Sequence, residues 1–134
     1  MVTKEDIESF LDRLSAEGAS YQEIGDGMWI VRPGGSFGSD LVVSYAPPVL
    51  VMRVKVMDLP DDAAMVASLA RRLLELNATD LVHGSYGIED RSIVMTEAME
   101  LSHLDFEEFL ASYEGITLAL ASHLRELAPY REAR

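Results

Sequence analysis

A chain of 134 residues with 49% apolar and 25% charged side chains has ordinary globular composition and suits one domain over residues 1–134. Its 23 Asp+Glu against 11 Lys+Arg give a net charge of −12, which argues against DNA or RNA as a partner, since a phosphate backbone is bound by cations that displace its counterions. No cysteine is present, so disulfides, thiolate chemistry and Cys–zinc sites are excluded.

The first residues, Met1-Val2-Thr3-Lys4-Glu5-Asp6, lack the basic patch and apolar run of a signal peptide, and the uncharged apolar stretches fall short of a membrane span. A soluble cytoplasmic protein is expected. Thr3 and Asp6 form a T-x-x-D capping box, and Ile7, Phe10, Leu11 and Leu14 follow at helical spacing. Gly18 can supply the left-handed turn that ends this helix. Asp26-Gly27 carries the signature of a type I′ hairpin turn between strands at 21–24 and 28–32.

Residues 33–38 read as a flexible loop. Residues 41–45 are a β-rich run, interrupted by Ala46-Pro47-Pro48 because proline cannot donate to a ladder. Residues 49–57 form the clearest strand: Leu50, Met52, Val54 and Val56 face one way, and Val51, Arg53, Lys55 and Met57 the other. Pro60 and Asp61 open a second helix striped by Val66, Leu69, Leu73 and Leu76, with Asn77 as its expected end. A second hairpin spans 82–88 and 92–101 with its turn at Glu89-Asp90. The last helix begins near Asp105 with Glu108 completing a capping box.

The pattern predicts an α+β fold: a mostly antiparallel twisted sheet of five to six strands with three helices, in the order α-β-β-β-β-α-β-β-α. On the last helix Phe109, Tyr113, Ile116, Leu120 and His123 lie on an apolar seam, which either packs on the sheet or also meets a second subunit; they are the candidate dimer interface. Trp29 reads as core packing or as an anchor for a partner. Together with Val31, Val51 and Met57 it forms the candidate partner-binding set. Five of the seven methionines, whose polarizable side chains adapt to varied neighbours, fall on predicted strands.

Gly34-Gly35-Ser36-Phe37-Gly38 satisfies G-x-S-x-G. A nucleophile elbow needs a strand-to-helix turn on a large parallel sheet, whereas a strand follows here, so the motif is read as a loop. None of His83, His103 and His123 stands in H-x-x-x-H or H-E-x-x-H spacing, so no metal site is expected. Neither a catalytic constellation nor a cofactor motif emerges. The remaining alternative is a small-ligand-binding domain or an enzyme whose pocket gathers scattered residues such as His83, Tyr86 and Glu97.

Leu73-Leu74-Glu75-Leu76-Asn77, Gly84-Ser85-Tyr86-Gly87-Ile88-Glu89-Asp90, Ser92-Ile93-Val94-Met95 and Leu104-Asp105-Phe106-Glu107-Glu108-Phe109 carry a resemblance. The chain resembles the class I type III secretion chaperones, the CesT-like Tir-chaperone family, and equally the related YbjN-type regulators of sensory transduction. The likeness implies a helix-covered twisted sheet, a homodimer and no catalysis. A protein-binding module with a protein or peptide partner is the function it points to, chaperone-like or regulatory.

Overall fold

The computed structural model describes residues 1–34 and 39–132; the last four residues of the glycine-rich motif, Gly35, Ser36, Phe37 and Gly38, lie outside the described residues. The elements are α1 (Lys4–Ser15), β1 (Ser20–Gly25), β2 (Met28–Arg32), β3 (Leu41–Ala46), β4 (Val49–Asp58), α2 (Ala63–Thr79), β5 (Ser85–Glu89), β6 (Ser92–Glu100) and α3 (Phe106–Glu132). All six strands join one antiparallel sheet in the order β1-β2-β3-β4-β6-β5. The fold is the predicted α+β arrangement in the predicted element order.

α1 starts as its sequence requires. The Asp6 N–H donates to Thr3 Oγ1 at 3.2 Å, and the Thr3 N–H donates to Asp6 Oδ2 at 2.9 Å, so two otherwise orphaned donors are satisfied reciprocally. The helix ends at Ala16, two residues before Gly18, whose φ of +112° turns the chain towards β1. The first hairpin is not the expected type I′ turn. Only Gly27 has positive φ, at +72°, and the register slips between Glu23 and Gly25, so an extra residue in β1 takes up the twist that a second left-handed residue would have supplied.

Ala46-Pro47-Pro48 does not interrupt the sheet. The two prolines, joined by a cis peptide bond, form the turn itself, and Ala46 pairs directly with Val49. At a turn neither proline is asked for a ladder donor. β4 departs from strict alternation: Lys55 pairs with Val94 and Met57 with Ile93, leaving Val56 as an extra, unpaired residue. The phase therefore flips, and Met57 joins Leu50, Met52 and Val54 on the buried face while Val56 is half-buried.

Asp62 caps α2, its carboxylate accepting from the Met65 N–H at 3.0 Å. The helix runs past Asn77 to Thr79, with Asp80 as C-cap. The second hairpin turns at Asp90-Arg91, one residue later than predicted, with Asp90 at φ +54°. Asp105 opens α3, its carboxylate accepting from the Glu108 N–H at 2.8 Å.

The three helices cover one face of the sheet, with α3 in the middle. Phe10 of α1 meets Phe106 and Phe109 of α3 at ring-centroid distances of 5.8 and 5.4 Å. On the other flank Arg72 of α2 donates to Glu126, and Ser68 shares a 2.9 Å hydrogen bond with Tyr130. Beneath them one continuous apolar cluster joins Ile7, Leu11, Trp29, Met52, Leu69, Met95 and Phe109. Each such side chain contributes about 1.5–3 kcal/mol on leaving water.

Candidate partner-binding surface

The antiparallel register sorts the strand residues into two faces, because directly paired residues point the same way. On the helix-free face one row runs Gln22, Ile30, Val42, Arg53, Thr96, and the next runs Met28, Ser44, Val51, Ala98. Ile30, Val42, Val49 and Val51 are half-buried there, and Met28 is 40% exposed. Half-buried Ile30, Val42, Val49 and Val51 thus share the side that no described helix covers with Gln22, Ser44, Arg53 and Thr96. Arg32, Arg53 and Lys55 pair with Asp40, Glu89 and Asp58 respectively. Such exposed pairs contribute little stability, so these cations remain adaptable.

The two sheet edges differ. β1 is almost wholly exposed, and among the described residues no side chain hydrogen-bonds its backbone. A side-chain hydrogen bond ties it to α1: the Tyr21 hydroxyl donates to Asp12, and this bond, with a smaller effect of burial, pushes the Tyr21 pKa up to about 12. β5, in contrast, is engaged from α2. Asn77 Oδ1 accepts from the Tyr86 N–H at 2.8 Å, and Asn77 Nδ2 donates to the Tyr86 carbonyl at 3.2 Å.

Tyr86 belongs to a second chain of contacts. Its hydroxyl lies 2.7 Å from His123 Nδ1, and His123 Nε2 lies 3.2 Å from Asp80 Oδ2. A carboxylate only accepts, so His123 Nε2 carries the proton donated to Asp80. Burial first, then the charges of Glu126 and Asp80, holds the Tyr86 hydroxyl well above the ordinary phenol range. The group is a neutral structural tie fastening β5 to α3 and to the end of α2.

The partner-binding candidates divide. Val51 lies on the helix-free face, whereas Trp29, Val31 and Met57 are 0%, 1% and 6% exposed under the helices. Trp29 and Val31 share a face with Val43 and Leu41 in the register, and the bulge in β4 delivers Met57 to the same side. The expectation that these three meet a partner is corrected accordingly: they build the core. Phe109, Tyr113, Ile116, Leu120 and His123 are likewise buried, at 0%, 8%, 1%, 6% and 4% exposure, by packing on the chain's own sheet. Burial, with a smaller effect of Glu114, also raises the Tyr113 pKa.

His83 and Glu97 do come together. His83 Nδ1 is 3.0 Å from Glu97 Oε2, and the Gly84 N–H donates to Glu97 Oε1 at 3.1 Å. Ser112 Oγ sits 3.5 Å from the same His83 Nδ1. A nucleophile relay needs its hydroxyl and its carboxylate on opposite ring nitrogens, so this trio is not a Ser-His-Glu triad. Tyr86 is absent from it. The adjoining open cleft, about 370 Å³, is walled by His83, His103, Glu97, Glu100 and Glu108, and no cluster of metal-ligand geometry occurs among the described residues. A second cleft of about 490 Å³ is lined by two ion pairs, Lys55 with Asp58 at 2.7 Å and Arg91 with Asp61 at 3.2 Å, and by Arg131.

Sequence reasoning missed Asn77 and Asp80 as functional contacts. Asn77 carried one usable signal: an amide near the end of an apolar helix stripe has a poor helix propensity that some other contact must offset.

The six-stranded antiparallel sheet with three helices on one face has counterparts among solved structures. The chain is similar to a chain of the heterodimeric ExoU–SpcU complex of the Pseudomonas aeruginosa type III secretion system, with a TM-score of 0.66 and 16% identity over 92% of this chain and 98% of that one. It is similar to YbjN of E. coli, with a TM-score of 0.61 and 14% identity over 94% and 96% of the two chains. A chain of the HopA1–SchA chaperone–effector complex gives a TM-score of 0.58 and 15% identity over 95% and 94%. The CesT_Tir_1 family model matches residues 1–133, and the chain belongs to that family. No curated protein matches it. Among the described residues, no helix is long and apolar enough to cross a membrane.

Proposed function

We propose that this protein is a non-catalytic protein-binding module, chaperone-like or regulatory, that holds a partner polypeptide and works as a homodimer in the cytoplasm. The observation that carries the reading is the half-buried set Ile30, Val42, Val49 and Val51 on the helix-free face, together with the edge strand β1, whose backbone no side chain hydrogen-bonds among the described residues. A face of this kind receives alternate side chains of an extended segment, while an edge strand supplies main-chain hydrogen bonds. Family membership and the likeness to chains of chaperone–effector complexes support a polypeptide as the ligand.

The small-ligand or enzyme reading finds less support. His83, Tyr86 and Glu97 do not converge on one pocket, and the cleft beside His83 is open to solvent.

The test uses a photocrosslinking amino acid in place of Val51, with Glu114 on α3 as the control site, in the native host. Polypeptide capture at position 51 and not at 114 is the expected result; equal capture at both sites overturns the proposal. Sedimentation of the purified protein reads the dimer directly, as a particle of twice 14.8 kDa. A particle of one chain's mass overturns that part.

A further inference from the structure

We infer that Asn77 selects the edge of the sheet at which a strand can be added: it closes β5 and leaves β1 as the receiving edge. The inference deepens the reading above, which supposes that a partner segment adds to the sheet. Its geometry stands independently.

An antiparallel neighbour exchanges two hydrogen bonds with one residue, taking its N–H and giving to its C=O. Asn77 does both with one side chain, accepting from the Tyr86 N–H at 2.8 Å and donating to the Tyr86 carbonyl at 3.2 Å. An amide group is the side chain that offers an acceptor and a donor side by side. Counting from the Glu89–Ser92 pair that closes the turn, Tyr86 opposite Met95 falls at a non-hydrogen-bonded position, so the two backbone groups that Asn77 takes point away from β6. β5 has only five residues, Ser85–Glu89, so an incoming strand has no central register that avoids this position.

Further contacts fasten the strand on which Asn77 acts. Two positions before Tyr86, the Gly84 N–H is taken by Glu97 Oε1 at 3.1 Å and is unavailable to an added strand. The Tyr86 hydroxyl, His123 and Asp80 tie the same residue to α3 and to the C-cap of α2, three residues after Asn77. Exposed edges are a hazard that folds control by covering them. Here one edge is covered by a built contact, and the other has none among the described residues.

The absence of cysteine from the chain allows single-cysteine reporters. Ile88, 52% exposed on β5, and Gln22 on β1 are suitable positions. In Asn77→Ala, exchange of the Tyr86 amide is expected to rise about tenfold, the effect of losing a hydrogen bond of about 1.4 kcal/mol. With Ile88→Cys in that background, a disulfide-linked dimer is expected that Ile88→Cys alone does not form. Gln22→Cys is expected to behave alike in both backgrounds. Asn77→Asp keeps the acceptor for the Tyr86 N–H and loses the donor for its carbonyl, so it should fall between the two; it carries the comparison if Asn77→Ala does not fold.

Unchanged exchange at Tyr86 overturns the inference. Faster exchange with no Ile88 disulfide also overturns it, reducing Asn77 to a helix anchor. These readouts need no partner, so they separate failure of this inference from failure of the polypeptide-binding reading.

Discussion

The two ends of the sheet solve the same physical problem in opposite ways. Any edge strand carries a row of backbone donors and acceptors with no neighbour. At β5 the central pair is taken by the Asn77 amide, and the strand's one aromatic ring is fastened through His123 to Asp80. At β1 the backbone has no such cover among the described residues, and the strand is held to α1 by the exposed Tyr21–Asp12 bond. A sheet edge is thus not a property of the strand alone. Both strands are short and neither is strongly apolar; what differs is whether a helix end lies within reach carrying the right side chain.

The contrast can be broken most severely from below. Trp29 on β2 is fully buried beside the β1 side of the sheet, and Trp29→Ala should destabilise the fold by about 3–5 kcal/mol in urea unfolding. Trp29→Phe should cost less, because the indole N–H it deletes has no hydrogen-bond partner. A normal unfolding midpoint for Trp29→Ala would show that the tryptophan is not a core residue.

Next in size is the fastening of β5. Tyr86→Phe removes the hydroxyl and leaves His123 Nδ1 buried without a partner, which should cost about 1–3 kcal/mol. Hydrogen exchange should then speed up in β5 while β2 and β3 keep their protection. Equal loosening across the sheet would mean that the two edges are not separately held.

A smaller effect on stability, but a large one on binding, is expected on the helix-free face. Val51→Asp places a charge on a half-buried strand position and should cost about 1 kcal/mol of stability. Loss of polypeptide capture in the native host, with the fold intact, is the expected outcome.

The smallest effect concerns the β1 tie. The Tyr21 pKa is raised from 10.0 to about 12, so the folded state holds this proton more tightly than the unfolded state. That contribution is complete below pH 10.0 and is lost as pH rises towards about 12. The hydroxyl's bond to Asp12 is exposed, so the contribution is heavily screened. Tyr21→Phe should slightly flatten the alkaline fall in the urea midpoint, which an undiminished slope would contradict.

Much of this architecture is legible along the chain. The capping residues Thr3 and Asp105, the alternation through residues 49–55 and the seam of α3 all depend on neighbours within a few positions, and each is found where the pattern places it. The candidate surface is legible only in part. Val51 reads as outward-facing and is, but Met57 reads the same way and is buried, because the bulge arises from pairing with β6 across more than thirty positions. The apolar seam of α3 is visible in the sequence, and its packing on the chain's own sheet is one of the two readings the sequence offers.

The amino-acid order alone determined the element list, the acidity and the absence of cysteine and metal-ligand spacing, since these follow from local periodicity and composition. Tertiary structure decided which face stays open and which edge is closed. Asn77 and Tyr86 are nine positions apart on different elements, as are the more distant Tyr86, His123 and Asp80. A hydrogen bond between such groups exists only once packing brings them within about 3 Å, and no periodicity in the chain encodes that approach.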